Sequence, residues 1–217
     1  MKLGIEAISP YQVAALRMLS AGVVLTPFAI DSFKKIPKNK LFLVVFSGLI
    51  GSFFPAFLFC IAETKIDSAL AGILNSLTPL FTILVGVIFY KVQTTAVKFL
   101  GILIGFIGLT FLLLTGKEMH FNHLSYASLV LVATMMYGIN VHTVGRNLKE
   151  IGSIQIASVA FSFLILPSAA VLFFTGFFEN DFSNPLVIHS TLTSALLGMV
   201  GTSMASILFY YLVKKAG

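Results

Sequence analysis

Long apolar runs separated by short polar linkers dominate the chain. At a rise of 1.5 Å per residue, each run is long enough for a helix that crosses a hydrocarbon core of about 30 Å. Backbone amides in lipid must be satisfied within their own segment, so the pattern predicts an all-α, polytopic membrane helix bundle. The seven runs are Tyr11–Ile30, Leu41–Ile61, Ser68–Tyr90, Val97–Thr115, Leu124–His142, Ile154–Gly176 and Thr191–Val213.

Composition excludes an ordinary water-soluble domain. Hydrophobic residues make up 58% of the 217 residues and charged residues 10%, with a mean hydropathy of +1.00. Soluble domains carry about 25% charged residues. A single cysteine, Cys60, rules out an internal disulfide. His120 and His123 have no carboxylate or cysteine at ligand spacing, so neither a metal site nor a cofactor is expected.

The basic residues are distributed unevenly between the two sides of the predicted bundle. Ten lie in the second, fourth, sixth and last linkers, against three on the opposite side, and Arg17 falls within the first span. Positive residues favour the cytoplasmic side, so we expect lysine-rich linkers in the cytoplasm of a cell (inner) membrane protein, and residues 1–10 outside. The net charge of +6 is explained by this topology, and no nucleic-acid partner is expected.

Two pairs of segments repeat in the same order. Residues 46–67 align without a gap on residues 196–217, which places Gly48 on Gly198 and Ser52 on Thr202 at an offset of 150. Residues 8–16, ISPYQVAAL, align on residues 151–159, IGSIQIASV, with Gln12 on Gln155. The first two spans therefore correspond to the sixth and seventh.

A shift of five spans has a topological consequence. Because five is odd, equivalent helices cross the membrane in opposite directions, which is the inverted repeat typical of secondary transporters. Two inverted five-helix repeats make ten helices, of which seven are present here. We assign residues 1–117 to the first repeat (four helices) and 118–217 to the second (three helices). One helix before Met1 and two after Gly217 are then expected to be missing.

Three motifs carry a family resemblance along the whole chain. They are SPYQVAALRMLSAG (9–22), TKIDSALAGILNSLTPLFTILVG (64–86) and KFLGILIGFIGLTFLL (98–113). In this order they resemble the drug/metabolite transporter superfamily, EamA type. The resemblance implies ten helices in two EamA repeats and the transport of small metabolites. The family's glycine-glutamate pair after the Thr-Pro helix is replaced by Tyr90-Lys91, so no role of that glutamate is carried over.

The third span has features of a substrate site near its centre. Pro79 cannot donate a backbone hydrogen bond, so the helix should kink there. Asn75, Pro79, Thr82 and Gly86 step by four, three and four and share one face. Asn75, Thr78, Pro79 and Thr82 are predicted to bind substrate at mid-membrane depth. The alternative is a structural proline kink whose polar groups are satisfied by neighbouring helices.

Other polar residues within spans complete the predicted site. Tyr137 and Asn140 of the fifth span, together with Thr202 of the seventh, are predicted to face the pathway. Arg17 is interpreted either as an anion anchor or gate residue in the cavity, or as a side chain that snorkels to headgroups. The repeated G-x-x-G-[ST] heads favour close helix packing or space beside a cavity.

The predicted function is an integral-membrane secondary transporter that moves a small metabolite, an amino acid or similar, by alternating access; it is not expected to be an enzyme. The alternatives are a seven-helix receptor or photosensor, although the seventh span lacks a lysine, and an intramembrane enzyme, although no catalytic motif is found. No carboxylate lies deep in a span to carry a coupling proton. The expected partners are a small-molecule substrate and the lipid bilayer, with a homodimer left open.

Overall fold

The computed structural model describes residues 2–93, 95, 97, 100, 101, 103–105, 107, 108, 111 and 124–216. Helices account for nearly all of them. The elements are Lys2–Ile5, Pro10–Lys35, Lys38–Gly48, Leu49–Phe53 (π-helical), Phe54–Ala62, Ser68–Asn75, Thr78–Tyr90, Leu124–Asn147, Ser153–Phe174, Phe177–Glu179 (3₁₀), Pro185–Leu196, Leu197–Thr202 (π-helical) and Ser203–Ala216.

The predicted all-α membrane bundle is confirmed. Six helices among the described residues are long and apolar enough to cross a bilayer: Pro10–Lys35, Lys38–Ala62, Ser68–Tyr90, Leu124–Asn147, Ser153–Phe174 and Pro185–Lys215. They are called below the first, second, third, fifth, sixth and seventh spans. The fourth predicted span, Val97–Thr115, falls largely outside the described residues, as do His120 and His123.

The outward faces of the helices are apolar, as a bilayer requires. Phe174 is 84% exposed, Leu166 79% and Phe42 75%. Apolar side chains this exposed would be costly in water and are stable against lipid tails.

The first and sixth spans pack against each other along their length and form the centre of the bundle. Gln12 Nε2 donates to the Thr175 carbonyl at 2.9 Å, and Ser158 Oγ donates to Ser32 Oγ at 3.2 Å. The start of each helix therefore lies beside the end of the other, so the two run antiparallel. The fifth span packs against the third and against Phe54–Ala62 of the second, around a separate apolar cluster.

The two ends of the bundle can be told apart by their contacts. Arg146 Nη2 donates to the Tyr90 carbonyl at 2.9 Å, and Lys214 Nζ donates to the Ile151 carbonyl at 2.5 Å. Since Ser32 meets Ser158 near this same end, it also carries the lysines that follow the first span. We call it the lysine-rich end.

The seventh span begins earlier than predicted. It starts at Pro185 rather than Thr191, so the linker between the sixth and seventh spans is shorter than the apolar runs indicate. Asn184 is a good N-cap, because its side chain accepts from the Leu186 amide at 3.0 Å. Proline at the first helical position needs no hydrogen bond partner for its nitrogen. Local capping therefore extends the helix beyond the apolar run.

Matched local structures appear in the two halves of the chain. Gln12 Oε1 accepts from the Ser9 amide at 3.1 Å, and Gln155 Oε1 accepts from the Gly152 amide at 2.9 Å, so the same glutamine contact is present at the start of both central helices. The second and seventh spans each contain a π-helical segment at the repeated glycines, Leu49–Phe53 and Leu197–Thr202. These matches follow the two sequence alignments.

Contacts between helices also match in the two halves, at positions that the sequence alignments pair. A Cβ on Gly48 would lie 2.9 Å from Ala160 Cβ, and a Cβ on Gly198 would lie 2.9 Å from Arg17 Cα. Gly48 aligns with Gly198, and Arg17 aligns with Ala160. The packing of the second span on the sixth therefore mirrors the packing of the seventh span on the first. This is the pattern that a two-fold axis between the halves produces. The predicted close packing at these glycines is confirmed.

Candidate functional site

An open cavity of about 570 Å³ lies between the first, second, third, fifth and seventh spans. It is mainly apolar, with a few polar groups converging on it, which is the usual make-up of a small-molecule site. Its lining residues are Arg17, Met18, Gly51, Ser52, Ala56, Phe59, Asn75, Thr78, Tyr137, Leu197, Gly201, Thr202, Ala205, Ser206, Phe209 and Tyr210. We call it the central cavity.

The third span is interrupted where it meets the central cavity. It consists of two helices, Ser68–Asn75 and Thr78–Tyr90, which a turn at Ser76 and Leu77 joins where the kink was predicted. Pro79 removes one amide donor, and Thr78 Oγ1 donates to the Asn75 carbonyl at 2.7 Å in its place. Asn75 and Thr78 thus stand on either side of the break, and both line the cavity.

The π-helical segments bring the second and seventh spans to the same cavity. Gly51 and Ser52 line it from one, and Gly201 and Thr202 from the other. A π-helical turn widens the helix and changes the direction of its side chains, and such turns are frequent at functional sites. In each G-x-x-G-[ST] motif the first glycine packs against a neighbouring helix. The second glycine and the serine or threonine that follows it line the cavity.

Arg17 is the one charged residue among the described residues that line the central cavity. Its Nη2 donates to Thr202 Oγ1 at 3.3 Å, which links the first span to the seventh. Its Nε and Nη1 are buried and have no hydrogen bond partner. The buried thiol of Cys60 lies beside the guanidinium, but a thiol is only a weak acceptor. The side chain therefore faces the protein interior.

A buried polar group lies behind the cavity wall. Ser47 Oγ donates to Asn140 Oδ1 at 2.6 Å and lies 3.1 Å from Tyr210 Oη, so the second, fifth and seventh spans are connected. The Asn140 amide nitrogen has no hydrogen bond partner. A Cβ on Gly51 would lie 2.7 Å from Asn140 Cγ, so only glycine leaves room for this side chain.

The structure brings five of the eight predicted binding residues together at the central cavity: Arg17, Asn75, Thr78, Tyr137 and Thr202. The remaining three predicted residues lie elsewhere. Pro79 forms the break in the third span, and Asn140 lies in the buried polar group behind the wall. Thr82 lies one helical turn further along, on a second cavity. The face predicted to run from Asn75 to Gly86 is divided, because the break changes the helix direction.

The second cavity, of about 760 Å³, opens at the lysine-rich end between the third, fifth and seventh spans. Thr82, His142 and Arg146 are among its lining residues. His142 Nε2 donates to the Thr82 carbonyl at 2.9 Å and its ring stacks on Tyr90 at 4.8 Å, so it is held by the protein rather than simply wetted. Phe209 lines both cavities.

Ser47, Ser206 and Tyr210 were missed by sequence reasoning. A periodic signal was available, since Ser206 lies four residues after Thr202 and Ser47 four before Gly51, on the same helix faces. Within the described ranges, no group of three His, Cys, Asp or Glu side chains comes together that could hold a metal ion.

Comparison with known proteins gives a consistent result. The model of the EamA-like transporter family matches residues 1–114. An uncharacterized transporter of Bacillus subtilis (strain 168), YdfC, is 23% identical over all 217 residues, which span 69% of that protein. An uncharacterized transporter of Archaeoglobus fulgidus is 29% identical over 148 residues, or 68% of this chain and 51% of that protein. A solved crystal structure of a protein at 17% identity matches with a TM-score of 0.62 over 97% of this chain and 72% of that chain, which shows a shared fold.

Proposed function

Because the chain belongs to the EamA-like transporter family and is a multi-pass membrane transporter, we propose that it moves a small metabolite across the cell membrane by alternating access. The central cavity is the binding site in this proposal. The observation that carries it is the convergence of a broken helix and two π-helical segments on one cavity with few polar groups.

The size and lining of the cavity support a small substrate. A volume of about 570 Å³ suits a molecule of amino-acid size rather than a lipid or a peptide. Asn75 and Thr78 supply amide and hydroxyl groups from the break, and Tyr137 and Phe59 supply an aromatic wall, their rings stacked at 6.4 Å. Together these groups can bind a compact molecule with one polar and one apolar part.

The matching contacts in the two halves support the transport mechanism. A transporter built from inverted repeats can rock one half against the other, so that the same site opens first to one side and then to the other. In this proposal residues 1–117 and 118–217 belong to the two repeats, and the lysine-rich end faces the cytoplasm. The second cavity is then the cytoplasmic approach, and Phe209 lines both it and the site.

Flux measurements test the proposal. The chain is reconstituted in proteoliposomes and assayed with radiolabelled amino acids, organic acids, amines and sugars. We expect saturable uptake of one of these classes. Leu166→Ala, on the lipid face, serves as the control because this residue is 79% exposed and touches neither cavity. Permeation no greater than that of protein-free liposomes for every class would refute transport by this chain.

Accessibility measurements test the mechanism. Single cysteines replace Asn75 or Thr202 in a Cys60→Ala background and are treated with an impermeant thiol reagent from either side of the membrane. Alternating access predicts that the transported compound shifts the labelling of both positions from one side to the other. Labelling that stays on one side, with and without the compound, would contradict it.

A further inference from the structure

We infer that the central cavity takes a small organic anion whose carboxylate displaces the Thr202 hydroxyl from Arg17. This inference rests on the proposed function and specifies the chemical class of its substrate. It also gives the Arg17–Thr202 hydrogen bond a role, as a contact that substrate binding breaks.

The charge of the cavity supports an anionic ligand. Arg17 carries a guanidinium cation, and the described cavity lining contains no aspartate or glutamate to pair with it. A guanidinium inside a membrane protein without a counter-charge is costly. An anion in the adjoining 570 Å³ cavity would supply the missing charge.

The present partner of Arg17 is weak enough to be replaced. The hydroxyl of Thr202 accepts from Nη2 at 3.3 Å, longer than an ordinary hydrogen bond of this kind. Without Arg17, Thr202 Oγ1 still has a hydrogen bond partner within its own span, since it also donates to the Leu197 carbonyl at 3.2 Å. A carboxylate forms hydrogen bonds to guanidinium that are shorter and about twice as strong as those of a neutral acceptor.

The internal repeat indicates that Arg17 is not needed for packing. Its equivalent in the sixth span is Ala160, which makes the same type of close contact with a glycine of the second span. The backbone of Arg17 and not its side chain meets Gly198, so a small residue could fill this structural position. The guanidinium is therefore an addition that one half carries and the other lacks.

Breaking the Arg17–Thr202 contact would change how the two halves are held together. Arg17 lies on the first span and Thr202 on the seventh, which belong to different repeats in the proposed mechanism. A substrate that takes the Thr202 position on the guanidinium would release the seventh span at the π-helical segment. Binding and helix movement would thus be coupled through one side chain.

Ligand-dependent thermal stability tests the inference in matched pairs. The chain is placed in nanodiscs of neutral phosphatidylcholine, and unfolding is followed with a thiol-reactive dye, since Cys60 is the single cysteine and is buried. The probes are acetate, isovalerate, 3-phenylpropionate and benzoate, each compared with its neutral amide at equal concentration. We expect at least one acid to raise the unfolding temperature and its amide to have a much smaller effect.

Substitutions assign the effect to Arg17. Arg17→Gln should abolish the preference for acid over amide, and Arg17→Lys should retain part of it. Lys149→Gln removes an exposed positive charge that lines neither cavity and should leave the preference intact. Thr202→Val should raise the affinity for the acid by roughly tenfold, because the competing hydroxyl is gone. Equal stabilisation by acid and amide, stabilisation by no acid, or a preference that survives Arg17→Gln would overturn the inference.

Further outcomes distinguish a carboxylate from a phosphate ligand, and failure of the anion site from failure of the transport proposal. If stabilisation comes from inorganic phosphate or from nanodiscs of anionic phosphatidylglycerol, and from no carboxylate, Arg17 binds a phosphate group and the carboxylate assignment is overturned. If Thr202→Val weakens acid binding as much as Arg17→Gln, the hydroxyl helps to bind the ligand and displacement is overturned. Saturable flux that is insensitive to Arg17→Gln would refute the anion site while leaving the transport proposal intact.

Discussion

The contact between Gly198 and the first span leads to a quantitative prediction about stability. A methyl group at position 198 would lie 2.5 Å from the Arg17 carbonyl oxygen and 2.9 Å from Arg17 Cα. Both are backbone atoms of a central helix, so they cannot move aside as a flexible side chain can. Gly198→Ala must therefore push the seventh span away from the first.

The expected cost follows from this geometry. Overpacking of a well-packed interior costs about 1–3 kcal/mol. Alanine recovers up to about 1 kcal/mol relative to glycine through its higher helix propensity. We therefore expect a net loss of about 1–2 kcal/mol for Gly198→Ala, which for a chain of this size lowers the unfolding temperature by roughly 2–8 °C.

Two further glycines calibrate the measurement. Gly72 has no atom within 4 Å of an added Cβ, so Gly72→Ala should be neutral or stabilising. Gly48→Ala, which meets Ala160 Cβ at 2.9 Å, should fall between the two because only a side-chain methyl is that close. Thermal unfolding in detergent, followed by labelling of buried Cys60, gives the three values. A Gly198→Ala protein as stable as Gly72→Ala would refute the close contact and with it the matching packing of the halves.

Three other substitutions are expected to have distinct effects. Gln12→Ala should destabilise the chain by about 1 kcal/mol and more than Gln155→Ala, because Gln12 also bonds to the sixth span; chemical denaturation of both variants checks the order. Ser47→Ala should cost about 1 kcal/mol by depriving Asn140 of its partner, measured by thermal unfolding, with Ser47→Thr retaining part of the stability. Pro79→Ala should lengthen the helix and raise thermal stability while lowering uptake in proteoliposomes; a loss of both would contradict a functional break.

Periodicity and composition predicted the helices well, because each signal is local. An apolar run of the required length has few alternatives in lipid, and the break at Pro79 follows from a missing amide. Boundaries were less predictable: the cap at Asn184 is polar and lies outside the apolar run, so hydropathy alone places the helix start too late.

The candidate site was harder to predict than the fold. Arg17, Asn75 and Thr78 were accessible because polar residues inside a span are conspicuous in the sequence. The π-helical segments were not, since neither the apolar periodicity nor the repeated glycines distinguish a π-helical turn from an α-helical one. Asn140 shows the same limit: its sequence position suggested the pathway, but Ser47, from a distant part of the chain, holds it behind the wall.

The two pairs of aligned segments provide a way to separate structural from functional residues in this chain. Where both halves carry the same feature, as at Gln12 and Gln155, packing or capping in the bundle explains it. Where they differ, as at Arg17, the larger side chain is not needed for packing, because Ala160 occupies the equivalent position. A charge kept in one half only, next to a cavity and with unpaired donors, is therefore better explained by what the cavity binds than by how the helices pack.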